Sequence, residues 1–80
     1  MSLIYVDANV LIDVVEASTE AALRVQAAFR SAVIRGDRFA FTDLTWMECR
    51  VVPVRLGQRN VLDLYASVFG AGFMSRVELG

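Results

Sequence analysis

The stretch Leu3-Ile4-Tyr5-Val6-Asp7-Ala8-Asn9-Val10-Leu11-Ile12-Asp13 decides the fold. Its first four residues read as an apolar strand, and that strand delivers a single acid, Asp7, into a helix-like segment beginning at Ala8. In open α/β sheets ligands bind beyond the carboxyl ends of the strands, so an acid at that point is a first candidate for chemistry. A second strand-like run, Phe39-Ala40-Phe41, leads into another helix-like segment with Glu48 near its head. Two parallel strands would bring both carboxylates to one edge, an arrangement suited to a divalent cation. No third acid follows in a comparable setting before Gly80.

Working outward, Ala17-Ser18-Thr19-Glu20 reads as a loop closing on a helix cap, with Ser18 or Thr19 accepting the first helix amides. Beyond it Ala22, Val25, Phe29, Ala32 and Val33 share one helical face, Arg24, Ser31 and Arg35 the other, and Gly36 suits the stop. A helical crossover of this length between Val6 and Phe39 is what a parallel, right-handed strand pair requires. The spacing predicts a third helix over Thr45–Gly57, disturbed by Pro53. A fourth spans Gln58–Phe69 with Val61, Leu62, Tyr65, Val68 and Phe69 inward. Gly70-Ala71-Gly72 breaks it, and Phe73–Leu79 alternates as a half-exposed edge strand would.

Eighty residues allow one domain, spanning residues 1–80. A chain of that size buries only about 60 to 65% of its unfolded surface. Yet 56% of the residues are apolar and mean hydropathy is +0.50, above the roughly 45 to 50% of ordinary soluble domains. Some apolar surface is therefore expected to meet another chain. No apolar run approaches the roughly 18 residues of a membrane span, and no basic residue precedes Arg24 to begin a signal peptide. These features predict a cytoplasmic protein with no membrane partner. One cysteine excludes an intrachain disulfide, and the absence of histidine removes the usual zinc ligand sets. Any metal would be held by oxygen. The net charge of −1 gives no global signal for nucleic acid, although all eight cations are arginine, the better phosphate fork.

Each candidate has a structural alternative. Asp7 suits a helix N-cap accepting from Asn9 or Val10, while Asn9 offers a second oxygen donor in the same turn. Thr45-Trp46-Met47-Glu48 matches a capping box, in which Glu48 would bond back to the Thr45 amide. Asp13 and Asp43 suit structural roles, the latter as a turn or cap residue. Arg50, Arg55 and Arg59 are candidates for phosphate contact, against the alternative of a solvated helix face. Cys49 and Trp46 are expected to pack in the core. Phosphatases of the haloacid dehalogenase type and response-regulator receivers also place Asp after an apolar strand. Both need a Lys to hold phosphate, which this chain lacks, and the former wants another Asp where Asn9 stands.

The segments Ile4–Asp13 and Phe41–Glu48 together resemble the opening half of a PIN domain, nearest in pattern to the toxin ribonucleases called VapC. The resemblance implies a PIN-like three-layer α/β/α fold with a central parallel sheet, here truncated to about three strands and four helices. It also implies a Mg²⁺ or Mn²⁺ site built from acids, cleavage of single-stranded RNA, and a cognate antitoxin as partner in a toxin–antitoxin system. On that resemblance Asp7 and Glu48 are the first two metal-site and catalytic acids, with Asn9 and Thr42 as supporting polar residues. The family's third acid, carried by a later helix, has no counterpart here, so the chain is expected to be weakly active or inactive alone. The alternative is a non-catalytic interaction module that dimerises or binds an antitoxin-like helix. It would associate through an exposed sheet edge left by the missing later strands.

Overall fold

A computed structural model describes residues 3–78. Three strands and four helices alternate along it: β1 (Leu3–Tyr5), α1 (Ala8–Glu16), α2 (Glu20–Ile34), β2 (Arg38–Phe41), α3 (Asp43–Arg55), α4 (Arg59–Phe69) and β3 (Met74–Arg76). The strands form one parallel sheet in the order β1-β2-β3. Ile4 lies opposite Phe39 and Phe39 opposite Met74, so the three share one side of the sheet. β1 and β2 are neighbours joined through a helical crossover, as the sequence predicts, and the edge strand expected over Phe73–Leu79 is found only over Met74–Arg76, Leu79 lying outside the described residues.

Phe39 and Phe41 carry the core on that side. Phe29 of α2 stacks on Phe39 with ring centroids 4.3 Å apart, and Phe69 of α4 meets Phe41 edge-on at 4.6 Å. Leu11 and Val14 of α1 and Tyr65 of α4 are buried in the same cluster. The helices thus lie against one side of the sheet, and the molecule measures 37 × 35 × 17 Å, thin in one direction. The other side carries Leu3 and Tyr5, 55% and 71% exposed, with Arg38 exposed and hydrogen-bonded to Ser75.

The expected three layers are therefore corrected to two among the described residues. The reason is topological: successive crossovers of one hand, stepping in one direction from β1 through β2 to β3, carry their helices to the same side. The covering of a second side requires a reversal of strand order, which these three strands do not contain.

Local signals explain the helix limits. Thr19 accepts from the Ala22 amide and starts α2, as expected. That helix ends where Gly36 adopts φ +90°, a conformation open to glycine without a Cβ penalty. The five α2 residues predicted inward are buried or half-buried. The first helix is longer than the quoted stretch suggests, ending at Glu16 with Ala17 left-handed at φ 42°.

The start of α3 departs from expectation. Thr42, rather than Thr45, is the N-cap, and the two threonines cap reciprocally: Thr45 N donates to Thr42 Oγ1 and Thr42 N to Thr45 Oγ1. Threonine accepts amides at either position, and Thr42 directly ends β2, so the helix begins two residues earlier. Pro53 sits buried inside α3 without ending it. It lies in the last turn, where the helix continues only to Arg55 before Gly57 turns the chain at φ +66°.

Candidate functional site

Parallel strands put their carboxyl ends on one edge, and here an acid stands two residues past each: Asp7 after Tyr5, Asp43 after Phe41 and Glu78 after Arg76. Asp7 immediately precedes α1 and Asp43 is the first residue of α3, where a negative charge meets the positive end of the helix dipole. Asp43 also pairs with Arg76 at 3.3 Å, tying α3 to β3 across exposed surface. Such a pair adds little stability by itself. A shallow pocket of about 320 Å³ lies at this edge, lined by Thr42, Asp43, Leu44, Val77 and Glu78.

Asp7 is exposed and serves as the N-cap of α1, its Oδ1 accepting from Val10 N at 3.0 Å. The structural role anticipated for it is thus real, and it engages one carboxylate oxygen. Asn9 is exposed in the first turn of the same helix. Glu48 is exposed in the middle of α3. The capping-box role offered for it is corrected, because Thr42 and Thr45 form that box and Glu48 lies a turn beyond. The Glu48 carboxylate is therefore not committed to the helix start.

Cys49 links the two acid-bearing segments. Its buried thiol donates to the Ala8 carbonyl at 3.8 Å, so the middle of α3 crosses the first turn of α1. Burial, then the negative charges of Glu48, Glu16 and Asp7, push the thiol up to about 11. It is a protonated packing group at neutral pH.

Glu16, which the sequence reading passed over, is the third carboxylate acting on Cys49. It stands at the far end of α1 from Asp7 and accepts a hydrogen bond from Tyr65 Oη at 2.7 Å. Burial, this bond and the charge of Glu16 raise the Tyr65 phenol above its usual value. The available signal was Tyr65 itself, a phenol at an inward helical position, whose hydroxyl needs a partner.

The arginines do not form one patch of equal character. The Arg50 guanidinium lies 4.7 Å over the Trp46 ring and is half-buried, whereas Arg55 and Arg59 are exposed, near the end of α3 and the start of α4. Among the described residues, no group of three or more His, Cys, Asp or Glu side chains is arranged to hold a metal ion.

Comparison of the chain with protein-family models, with curated proteins and with solved structures gives no match. Among the described residues, no helix is long and apolar enough to cross a membrane.

Proposed function

We propose that this chain carries the amino-terminal part of a metal-dependent, PIN-type ribonuclease site of a toxin–antitoxin pair, with Asp7 and Glu48 as its acids. The observation that carries the reading is the contact of Cys49 with Ala8, which joins the residue beside Glu48 to the residue beside Asp7. Asp7 Oδ1 holds the helix start, and Oδ2 is the oxygen offered to Mg²⁺ or Mn²⁺. Glu48 supplies the second carboxylate. Asn9 and Thr42 add neutral oxygens at the same edge, and Arg55 and Arg59 are the exposed cations suited to phosphates of single-stranded RNA. A bound divalent cation would polarise a water and neutralise phosphate charge. With two acids only, weak binding and little or no cleavage by the chain alone follow.

Titration of Mn²⁺ into the protein, followed by calorimetry, tests the site, and cleavage of single-stranded RNA tests the activity. Weak binding abolished by Asp7→Asn and by Glu48→Gln is expected. Cation binding or RNA cleavage indifferent to both substitutions would remove the two acids from the mechanism.

A second reading, an interaction module without catalysis, is favoured by the state of β1. All three of its residues are exposed, it has a partner strand on one side only, and it is apolar. An open apolar edge invites strand addition, from a second copy or an antitoxin-like segment. Dimer formation abolished by Tyr5→Pro, which removes an amide that faces the open edge because the amide of the next residue, Val6, is the one donating to Ala40 of β2, would support it; indifference to that change would count against it.

A further inference from the structure

Strand alternation places Leu3, Tyr5, Arg38, Ala40 and Ser75 on the side of the sheet away from the helices, and none of these is acidic. Tyr5 is exposed there, while every other aromatic residue described is buried or half-buried. From the middle strand the Arg38 guanidinium donates to Ser75 Oγ of β3 at 3.0 Å, which lays it along the sheet. Arg24, Arg35 and Arg76 each have a carboxylate partner, but Arg38 makes no ion pair among the described residues, so its charge is uncompensated. Ala40 stands between Tyr5 and Ser75 in the register and projects only a methyl group. An aromatic ring and a planar cation thus flank a low floor, on outer strands roughly 10 Å apart.

We infer that this side of the sheet binds single-stranded nucleic acid, one base stacking on Tyr5 and a neighbouring phosphate meeting Arg38. The chemistry of the face selects this occupant. A sheet surface admits bases that are not locked in a duplex, and an exposed aromatic ring stacks on any of them. The guanidinium, steadied by Ser75, offers its remaining N–H groups to phosphate oxygens. With no carboxylate on the strand positions beside it, an anion approaches without repulsion. An apolar protein partner fits less well, because covering this face would bury the Arg38 charge without a counter-ion. One stacked base and one phosphate contact make the binding weak and tolerant of sequence.

The inference concerns binding alone and holds whether or not Asp7 and Glu48 take part in cleavage, so it is tested on the full chain with chelator present. Fluorescence anisotropy of a labelled oligouridylate of about 12 nucleotides reads the affinity. Tyr5→Leu should weaken binding about fivefold or more, while Tyr5→Phe, which keeps the ring, should bind as the wild type does. Arg38→Ala should weaken binding and reduce the slope of log affinity against log salt by about 0.7, the share of one phosphate on a single strand. Should Tyr5→Leu fail to fold, the ring protons of Tyr5 in the wild type decide the matter, an upfield move on adding the oligonucleotide being expected. No binding by the wild type, equal affinity of Tyr5→Leu and Tyr5→Phe, an unchanged salt slope for Arg38→Ala, or unmoved Tyr5 resonances at saturation would overturn the proposal.

Discussion

Tyr65 Oη donates to Glu16 Oε2 at 2.7 Å, fastening the middle of α4 to the last residue of α1 across 49 positions of sequence. The phenol ring is fully buried while Glu16 is exposed, so the bond anchors a core residue to the rim. Tyr65→Phe retains the packing and removes the bond. Because Glu16 can return to water, the cost should be that of one charge-assisted hydrogen bond at a partly exposed site, about 1 kcal/mol. Urea denaturation checks it, and Glu16→Gln, which keeps an acceptor, should cost less.

Alkaline solution should destabilise the protein through Cys49. Its thiol is raised from 9.0 to about 11 by burial and then by Glu48, Glu16 and Asp7. Between those values the unfolded chain releases the proton while the folded chain keeps it, so stability falls as pH rises. The slope for one group approaches about 1.4 kcal/mol per pH unit. Tyr65, raised in the same direction, adds to the loss above the ordinary tyrosine range. Denaturation midpoints of wild type and Cys49→Ala across pH 8 to 11, a range chosen to bracket roughly the thiol transition, should converge as pH rises. Parallel curves would contradict this account.

Asp7 caps α1, and substitution separates that role from the cation-binding role proposed for it. Asparagine caps helices about as well as aspartate, so Asp7→Asn should leave the melting temperature nearly unchanged while removing the charge offered to a cation. Asp7→Ala should also lose the bond to Val10 N, at roughly 1 kcal/mol. A stability loss as large for Asp7→Asn as for Asp7→Ala would show that the carboxylate charge, beyond the cap, sustains the fold.

Ala17 closes α1 at φ 42° and is the only non-glycine residue with positive φ among those described. A Cβ in this region costs roughly 1 to 2 kcal/mol, part of which glycine returns in unfolded-state entropy. Ala17→Gly should therefore stabilise the protein by about 0.5 kcal/mol, measured as a rise in denaturation midpoint. Leu11→Ala should act oppositely and far more strongly. Leu11 is completely buried, and such truncations cost about 2 to 5 kcal/mol, a large share of what an 80-residue domain has.

The alternation of strand and helix was legible because periodicity and breakers agreed. The α4 residues predicted inward are all buried or half-buried, and the glycine-rich break after Phe69 falls where the helix ends. The start of α3 was misread because Thr42 and Thr45 both fit a cap, and local pattern does not choose between them. Only the end of β2 at Phe41 does so. The number of layers also escaped, since it depends on strand order and crossover direction, which no short segment encodes. Of the candidate site, the place of Asp7 after a strand was readable, whereas the crossing of Cys49 over Ala8, on which the proposed pairing with Glu48 rests, joins segments far apart in sequence. Glu16 was missed because its partner lies on a different helix.

Parallel sheets are ordinarily covered on both sides, and the side bearing Leu3 and Tyr5 meets water. Solvent imposes no shape on a side chain. For an isolated monomer, replacement of either residue by serine or threonine should leave unfolding free energy nearly untouched. Tolerance or intolerance of such changes in a living cell is therefore a direct readout of whether another macromolecule rests on that plane.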